Sequence, residues 1–515
     1  MESLTLSSNR LLRLLVCSLL IVITSIFYPK WRRYTKIRTL KRQHNCKEPA
    51  KYPHEDRVLG SDMDRARAQA MKDGRYFRLY GEQFEKYGKT FEEIWRGKPL
   101  INTIEPANVQ KVAALSFQDY GKDPERAVAQ APLFGPSILF SDGPFWKHSR
   151  DMIKPIFSRG EISDIDHLAS FVDRFMNLLP DDGGMVDVQP LLRRLFLDVS
   201  MGFIFGRSLG YLEPEISTEA TEFLEAFEKA QVWTIKRRES GWRQFQFYRK
   251  NVDREYKEAY TKVHRYVDDQ VARALEETAE GRPTSEGSQA KKRYILLDEM
   301  AKQTRDPIQL RYQVLAVFLP ARDLIGVSAS NMIFQLARHP HIWTQLRRRA
   351  LEMGDEALTF ENLKSLAEFR YVFQETVRTI GPAARVWRIA VRDTVLPVGG
   401  GPDQKSPIFV SKGTPVVSGT WAMNHDRETW GDDVEEFQPD RWIGRKTMFE
   451  FLPFWGGPRI CPAQQQVMTY AIYLLVRLTQ RFEHIENCDP VLEYVEKITP
   501  SVESRNGVKV AFKND

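Results

Sequence analysis

The sequence predicts a mostly α-helical protein with a smaller β-rich part, built as one large domain behind an N-terminal transmembrane helix. Helical patterning dominates from about residue 160 to 380, strand-like runs cluster at 386–420, and an apolar run without charge occupies 14–28. The 515 residues are 42% hydrophobic and 28% charged, which is ordinary for a globular protein and excludes disordered, collagen-like and disulfide-rich classes. We therefore expect an anchor with a basic flank at 1–42 and a folded domain at 43–515.

The basic excess of the chain is confined to its N-terminus. The formal net charge is +7, but residues 1–42 hold nine Lys or Arg and one acid, and the remainder holds 66 basic and 67 acidic residues. A nucleic-acid-binding domain would instead carry its positive charge on the folded surface. The charge distribution therefore predicts no nucleic-acid partner.

The apolar run from Leu14 to Tyr28 is near the short limit for a bilayer span, and the thin endoplasmic reticulum membrane suits that length. The alternative, a cleaved signal peptide, needs a small-residue cleavage site, but Pro29, Lys30 and Trp31 follow the run. Positive charge remains cytoplasmic, and most basic residues of the segment follow the run. We expect a single-pass protein of the endoplasmic reticulum membrane whose large domain faces the cytosol.

A long helix is predicted to begin at Asp306 and Pro307 and to end at Arg338. Aspartate is a favourable N-cap, and proline is favoured at the first helical position. A helix of this length spans about 45 Å, enough to cross a domain. Pro320 in its interior removes one backbone hydrogen bond, so the helix is expected to kink or loosen there, either at a functional site or as a tolerated irregularity.

The strongest chemical signal is the segment from Phe451 to Gln466. Two glycines, Pro458 and Arg459 precede Cys461, and Pro462 begins an apolar-periodic helix. A helix N-terminus favours a thiolate, glycines allow close approach of a flat ligand, and the arginine can pair with an acid on that ligand. A lone cysteine is more often a small buried hydrophobic residue. The surrounding pattern favours a metal-bound thiolate.

This segment resembles the haem-binding signature of cytochrome P450, an aromatic-x-x-Gly-x-Arg-x-Cys-x-Gly pattern. The matching residues are Phe454, Gly457, Arg459 and Cys461, and Ala463 replaces the last glycine. The alanine should crowd the sulfur side of the haem slightly without abolishing binding. The resemblance implies that the Cys461 thiolate binds the iron of heme b, iron protoporphyrin IX.

Two further segments resemble a polar network of the same family. Glu375 and Arg378 match its Glu-x-x-Arg motif, and their spacing places them on one helix face. Arg441 matches a later Pro-x-Arg motif. The resemblance implies that the three side chains join in a buried network that fixes the fold around the haem and does no chemistry.

The contacts to the haem propionates are also expected from the resemblance. Trp146 and Arg150 match a Trp-x-x-x-Arg helix of the family, and a spacing of four places them on one face. Arg388 occupies another propionate-contacting position. The alternative for Trp146 and Arg150 is an ordinary surface helix.

The long helix departs from the family pattern at its centre. The family has an acid followed by an alcohol, which deliver protons to iron-bound dioxygen; here Asp323 is the acid and Leu324 replaces the alcohol. Ser328 lies one turn further, about 6 Å along the helix. Three interpretations remain open: a substrate hydroxyl replaces the alcohol, the reaction is atypical (desaturation, cyclisation or rearrangement), or the protein is a poor catalyst.

The substrate pocket is expected to include Ala321, Leu324 and Arg385 and to be largely apolar. A buried guanidinium is well shaped to pair with a carboxylate, so Arg385 is a candidate contact for an acidic substrate. The alternatives for Arg385 are a propionate contact and a charge that faces solvent.

The resemblance covers roughly residues 75–512 and extends to the fungal alkane and fatty-acid hydroxylase branch. It implies that 43–515 is a haem-thiolate catalytic domain that oxidises a hydrophobic substrate with O2, in fatty-acid or specialised metabolism. The glycines at 399–401 lie between strand-like runs and predict a hairpin turn, and no dinucleotide fingerprint is present. NADPH would therefore be used through a separate NADPH-cytochrome P450 reductase, with cytochrome b5 as a second candidate donor. The alternatives are a peroxide-driven or isomerising enzyme and a haem-binding sensor.

Overall fold

A computed structural model describes Ser18, Ser25 and residues 27–157, 165–213, 215–240, 253–280, 294–354, 356–383, 385–498 and 501–514. The predicted membrane span from Leu14 to Tyr28 lies largely outside the described residues, so the anchor remains a prediction. Everything stated below about structure concerns the described part of the chain.

Helices make up most of the described structure. In the N-terminal half they are α1 (27–43), α2 (Ser61–Asp73), α3 (Tyr76–Tyr87), α4 (Pro106–Gln110), α5 (Pro124–Phe134), α6 (Gly143–Ile153), α7 (Ile165–Met176), α8 (Val188–Phe205) and α9 (Thr218–Glu239). In the C-terminal half they are α10 (Arg254–Glu280), α11 (Leu296–Ala301), α12 (Pro307–Arg338), α13 (Pro340–Glu352), α14 (Phe360–Ser365), α15 (Ala367–Ile380), α16 (Thr420–Asn424), α17 (Arg427–Trp430) and α18 (Gln464–Arg481).

The strands form one larger mixed sheet and several small antiparallel ones. They are β1 (Ala50–Lys51), β2 (Thr90–Trp95), β3 (Lys98–Thr103), β4 (Tyr120–Gly121), β5 (Met185–Asp187), β6 (Val386–Ala390), β7 (Thr394–Gly400), β8 (Ser406–Val410), β9 (Pro415–Ser418), β10 (His484–Asn487), β11 (Glu496–Ile498), β12 (Val502–Ser504) and β13 (Lys509–Lys513). The larger sheet has the order β1-β2-β3-β9-β6-β4, and the smaller ones are β10-β13-β5, β11-β12 and β7-β8.

The predicted fold class is confirmed: helices dominate, and the strand cluster predicted at 386–420 corresponds to β6–β9. The sequence reading missed the β2–β3 hairpin, whose strands pair from Thr90 with Thr103 to Trp95 with Lys98. Glu93 interrupts the alternation of apolar and polar residues in β2, because it is buried. Its two carboxylate oxygens accept hydrogen bonds from Arg67. A buried charge in a strand cannot be distinguished from an exposed one by hydropathy alone.

Helix α12 runs through the centre of the molecule. It begins as predicted, since the Asp306 carboxylate accepts the N–H groups of Ile308 at 2.9 Å and Gln309 at 3.2 Å. It continues through Pro320 as one helix to its end at Arg338. Its two halves pack in different hydrophobic clusters, so its middle lies where the two cores meet.

Among the described residues, only α12 is long and apolar enough to cross a membrane. Of its most apolar 18-residue window, 72% is buried inside the protein. Contacts within the folded domain account for this apolarity, so α12 is a core helix.

Candidate active site

Cys461 lies in the loop between a short helical turn at Gly457–Arg459 and the start of α18, and it is half-buried. Its N–H donates to the carbonyl oxygen of Phe454 at 2.9 Å, which closes the loop around the thiol. Burial raises the pKa of the Cys461 thiol, and the N–H of Ala463 and the charge of Arg150 act in the opposite direction. The N–H group at the start of α18 therefore favours the thiolate, as expected. Burial of the sulfur has the larger effect on the pKa and favours the thiol.

The loop before Cys461 needs a glycine at position 457. The φ angle of Gly457 is +65°, and a Cβ atom there would lie 2.0 Å from the carbonyl oxygen of Ala113. Both the backbone conformation and the close approach exclude a larger residue. The loop is therefore pressed directly against the chain that follows α4.

Arg459 projects from this loop toward α6. It forms an ion pair with Asp142, donates to the carbonyl oxygen of Ser141 at 3.3 Å and lies 4.3 Å from the ring centre of Trp146. Burial lowers the pKa of Arg459, although Asp142 opposes the change. The guanidinium is therefore an enclosed cation that the structure holds in one orientation.

Two more enclosed cations accompany Arg459. Arg388 donates to the carbonyl oxygen of Trp387 at 2.8 Å and lies 5.3 Å from the ring centre of Trp455. Burial lowers the pKa of Arg388 to about 10, and the charge of Arg459 adds to the effect. Burial and the charges of these two arginines lower the pKa of Lys122 well below its ordinary value. Positive charge therefore accumulates beside the Cys461 loop without matching negative charge.

The residues present fit an iron porphyrin. Two buried donors in this region have no hydrogen-bond partner in the described structure, Nε of Arg459 and Nε1 of Trp455. A buried unpaired donor is costly, and so is a desolvated cation. The carboxylates of a haem would satisfy both, and a thiolate at Cys461 would supply one ligand to the iron.

No other metal-binding arrangement competes with this one in the part of the chain that the structure describes. There, no group of three or more His, Cys, Asp or Glu residues is placed to hold a metal ion. A single thiolate cannot hold a catalytic metal by itself. A metal at Cys461 would therefore need further ligands from a cofactor.

The other residues predicted around the haem lie near the same loop. Trp146 is buried under Arg459, and Arg150 is half-buried and close enough to Cys461 to interact electrostatically with it. The ring of Phe454 stacks on Phe373 of α15 with 6.3 Å between ring centres. The phenylalanine thus connects the Cys461 loop to the hydrophobic core.

Glu375, Arg378 and Arg441 form one buried hydrogen-bonded network. Arg378 donates to both carboxylate oxygens of Glu375 at 2.9 Å, and Arg441 donates to Oε1 at 2.8 Å. The carboxylate also accepts Nε1 of Trp442 at 2.9 Å and the N–H of Gln438 at 3.0 Å. Sequence reasoning missed Trp442, although it directly follows the matched arginine. The network fastens α15 to the segment before the Cys461 loop.

Asp323 is held by the residue before it. Arg322 donates to its two carboxylate oxygens at 2.9 Å and 3.3 Å, and a terminal nitrogen of Arg322 lies 3.6 Å from Glu228 of α9. The guanidinium also lies 5.3 Å from the ring centre of Phe227. Sequence reasoning missed this clamp, because a helix spacing of one does not normally bring side chains together.

Leu324 leaves the middle of α12 without an alcohol, and neighbouring hydroxyls are engaged elsewhere. Ser328 donates to the carbonyl oxygen of Leu324 at 2.8 Å, and Ser200 of α8 donates to that of Ala321 at 3.1 Å. Ala321 packs in the same hydrophobic cluster as Ala463 at the start of α18. Ala321 and Ala463 therefore border the same hydrophobic core.

The structure places Arg385 in an aromatic cage. Its guanidinium lies 5.2 Å from the ring centre of Tyr76, 5.6 Å from that of Tyr80 and 5.3 Å from that of Trp387. Arg388 of β6 instead lies over Trp455, so it points away from the Arg385 cage. The contacts of the cage join Arg385 to α3 and β6, and its role as a pocket residue stays a prediction.

Comparison with known proteins gives a consistent result. A family model described as Cytochrome P450 matches residues 68–497. The cytochrome P450 monooxygenase iccC of Talaromyces variabilis is 36% identical over 484 residues, which cover 92% of this chain and 93% of that protein. The monooxygenase apdE of Emericella nidulans is 33% identical, covering 92% and 90%, and cytochrome P450 52A12 of Debaryomyces hansenii is 33% identical, covering 88% and 90%. These similarities extend over nearly the whole of each protein.

Proposed function

The chain belongs to the cytochrome P450 family, and from that premise we propose that Cys461 binds the iron of a b-type haem in an enzyme that oxidises a hydrophobic substrate. Its relatives are fungal monooxygenases, so the protein is an oxidoreductase of the monooxygenase class. The observation that carries the proposal is the position of Cys461, in a closed loop at the start of α18 beside an excess of enclosed positive charge. The haem, when bound, supplies the oxygen activation that a thiolate ligand favours.

The proposal assigns the cations near the loop to the haem carboxylates. Arg388 and Arg459 are the enclosed arginines whose desolvation an anion would relieve. Trp146 holds Arg459 from one side, and Arg150 lies near the thiol. Phe454 accepts the N–H of Cys461 through its carbonyl oxygen and keeps the loop closed.

Proton delivery is proposed to depend on Asp323. Arg322 holds its carboxylate and reaches toward Glu228, whose side chain is 58% exposed, so the acid is connected to solvent through one guanidinium. Leu324 provides no hydroxyl, and the Ser328 hydroxyl donates its hydrogen bond to a backbone carbonyl of the same helix. We propose that a hydroxyl or an ordered water held by the substrate completes the path.

An atypical reaction is the second candidate. The same observation favours it: a site whose nearby hydroxyls are bound to backbone carbonyls is poorly equipped to deliver a second proton. Among desaturation, cyclisation and rearrangement, only a rearrangement that consumes no dioxygen avoids the need for these protons. A peroxide-driven enzyme and a haem-binding sensor remain as further alternatives, and turnover assays separate them.

Electrons are proposed to come from NADPH through a separate NADPH-cytochrome P450 reductase, with cytochrome b5 as an additional donor. The sequence contains no dinucleotide fingerprint, and Gly399 and Gly400 lie at the end of β7, where the strand turns toward β8. This supports a domain that receives electrons from a partner. Specialised metabolism or fatty-acid oxidation in a fungus is the proposed setting.

The membrane location is likewise a proposal. Helix α1 follows the apolar N-terminal run, and Phe27, Tyr28, Trp31 and Tyr34 on it are more than half exposed. Aromatic rings of this kind are typical of the membrane interface. We propose that 1–42 anchors the protein in the endoplasmic reticulum membrane and that 43–515 is the cytosolic catalytic domain.

The test is turnover in membranes that contain the full chain, a fungal reductase and NADPH, with oxygen-18-labelled dioxygen. Long-chain fatty acids with and without a mid-chain hydroxyl, and terpenoid and polyketide intermediates, serve as substrates. Labelled product that requires the reductase is expected. Product without label indicates the atypical reaction, product formed from peroxide without reductase contradicts the electron source, and haem binding without any turnover across the panel indicates a sensor.

A further inference from the structure

The guanidinium of Arg322 lies between α9 and α12. It is 5.3 Å from the ring centre of Phe227, and that ring contacts Phe318, one turn before Arg322 on α12, with 4.9 Å between ring centres. Both phenylalanines are fully buried, and the Arg322 side chain is only 11% exposed. The charge of Arg322 is therefore largely removed from water, and it depends on nearby carboxylates for its stabilisation.

Asp323 occupies two of the three nitrogens of that guanidinium. Nε and the terminal nitrogen Nη2 donate to the two carboxylate oxygens at 2.9 Å and 3.3 Å. The other terminal nitrogen, Nη1, is buried and has no hydrogen-bond partner among the described residues. A buried N–H group without an acceptor is costly. One side of the cation therefore remains open to a second carboxylate.

Glu228 of α9 is placed to be that carboxylate. Its Oε1 lies 3.6 Å from Nη1 of Arg322, within ion-pair range but beyond the length of a hydrogen bond. Within the described part of the chain, Asp323 and Glu228 are the two ion-pair partners of Arg322, and Arg322 is the one ion-pair partner of Glu228. Because the Glu228 side chain is more than half exposed, rotation about its own bonds suffices to bring the carboxylate to Nη1.

Uptake of a proton by Asp323 would leave the charge of Arg322 without its present partner. A protonated carboxyl group is neutral and no longer acts as a counterion. Removing one member of a buried ion pair strongly destabilises the other, because the remaining charge is uncompensated. Glu228 is the second carboxylate within ion-pair distance, so the structure offers a replacement at the moment when the first partner is lost.

We propose that Glu228 is a positioning residue of the proton path, which takes over the guanidinium of Arg322 when Asp323 binds a proton. The proposal rests on the proposed function and deepens it, since it names how the acid is regulated. A proton from solvent binds one carboxylate oxygen of Asp323, and Arg322 moves its hydrogen bonds to Glu228. When Asp323 passes that proton to the hydroxyl or water held by the substrate, the guanidinium returns to Asp323.

Thermal unfolding of the full-length protein tests the exchange of partners without any turnover. Asp323→Asn has the shape of the protonated acid and lacks its charge, so Glu228 becomes the counterion of Arg322 in that variant. Glu228→Gln should therefore lower Tm by about 1–3 °C more in the Asp323→Asn background than in the unaltered background.

Two controls accompany the unfolding measurement. Glu225→Gln removes an exposed carboxylate three residues before Glu228 on α9, and it should change Tm equally in both backgrounds. Addition of Arg322→Gln to the Asp323→Asn background should abolish the extra effect of Glu228→Gln, because no cation then remains that requires a carboxylate. This cycle separates a partner of Arg322 from a general effect of charge on α9.

Turnover provides the second measurement. Glu228→Gln should lower the product formed per NADPH consumed by roughly tenfold and raise the solvent deuterium isotope effect, with KM unchanged, because proton uptake becomes slower while substrate contacts remain. Glu228→Asp keeps the charge and should restore part of the yield. Glu225→Gln should match the unaltered enzyme.

Equal losses of Tm for Glu228→Gln in the two backgrounds would overturn the proposal. A Glu228→Gln enzyme whose product yield and isotope effect match those of Glu225→Gln would also overturn it. Absence of turnover in the unaltered protein across the substrate panel would instead contradict the proposed function. The unfolding cycle would still decide whether Glu228 replaces Asp323 as the partner of Arg322.

Discussion

At the scale of single residues, the middle of α12 combines a strongly held acid with a missing alcohol. Asp323 is fixed by Arg322, and the hydroxyls of Ser200 and Ser328 are bound to backbone carbonyls. A proton path that normally runs through side chains is therefore incomplete in this chain. We propose that the substrate supplies the missing part of the path.

The substitution Leu324→Thr tests whether the substrate supplies the missing hydroxyl. If the substrate supplies the hydroxyl, the restored alcohol should leave the product formed per NADPH consumed unchanged, within about twofold. If instead the missing alcohol limits the unaltered enzyme, the product formed per NADPH consumed should rise by about an order of magnitude. Positioned proton donors typically change reaction rates by roughly 10²–10⁴-fold.

Leu324→Val is the matched control for that measurement. Valine has the shape of threonine without the hydroxyl, so any change shared by both variants reflects the smaller side chain. A gain in coupling found in Leu324→Val as well would remove the hydroxyl from the explanation.

At the scale of elements, the Cys461 loop depends on its contact with the segment that follows α4. Gly457→Ala places a Cβ atom 2.0 Å from the carbonyl oxygen of Ala113 in a backbone conformation with φ of +65°. We expect a destabilisation of several kcal/mol, roughly, and loss of bound haem. Thermal unfolding and haem content per protein measure the two effects.

Gly413→Ala is the control that separates backbone strain from a steric clash of the new Cβ atom. Gly413 has φ of +89°, and a Cβ atom there would meet nothing within 4 Å. This variant should lose only about 1–2 kcal/mol, the cost of a left-handed residue, and should keep its haem. Equal effects of the two substitutions would show that contact with Ala113 is unimportant.

The network around Glu375 fastens α15 to the segment that leads into the Cys461 loop. Trp442→Phe removes one hydrogen bond to a buried carboxylate and should cost about 1.5–3 kcal/mol. Trp343→Phe removes an equally buried indole donor whose acceptor is a neutral carbonyl at 3.3 Å, and it should cost less. Thermal unfolding compares them, and the reverse ranking would contradict a charge-assisted network.

Much of this element-scale organisation could be predicted because it depends on short motifs. Asp306 and Pro307 predict the start of α12, and the spacing of Glu375 and Arg378 predicts their pairing, which the structure contains. The β2–β3 hairpin could not be predicted, because the burial of Glu93 depends on Arg67 of another element.

The same limit applies to the candidate site. Arg322 and Lys122 belong to no motif, and their importance arises from neighbours far away in sequence, such as Glu228 for the first. The family resemblance predicts that Arg385 belongs to a turn that lines the pocket, but its cage of Tyr76, Tyr80 and Trp387 requires the packing of α3 against β6. Tertiary proximity carries no local signal.

At the scale of the whole molecule, two hydrophobic cores meet along α12, and polar groups are buried where elements join. His425 is one such group: its ring stacks on Trp421 with 3.8 Å between ring centres, and its Nδ1 lies 2.9 Å from the Trp421 carbonyl oxygen. Burial lowers the pKa of His425 to about 3, and the charge of Arg378 adds to the effect.

This pKa predicts a pH dependence of stability. Because the unfolded chain binds a proton near pH 6.5 and the folded chain does not until about pH 3, the contribution of His425 is present above pH 6.5 and is lost as the pH falls from 6.5 toward 3. The loss should amount to a few kcal/mol, roughly. His425→Gln should flatten the pH dependence of thermal unfolding in that interval, and an unchanged slope would contradict the assignment.

The central claim is that Cys461 provides the thiolate ligand of a haem iron. Its most direct test is the absorption spectrum of the reduced carbon monoxide complex of the full-length protein, compared with that of Cys461→Ser, with Cys488→Ser as a matched control for the loss of a thiol. We expect the red-shifted Soret band of a haem thiolate in the unaltered protein and in Cys488→Ser, and its loss in Cys461→Ser. A red-shifted band that persists in Cys461→Ser, or one that is absent from haem-loaded unaltered protein, would contradict it.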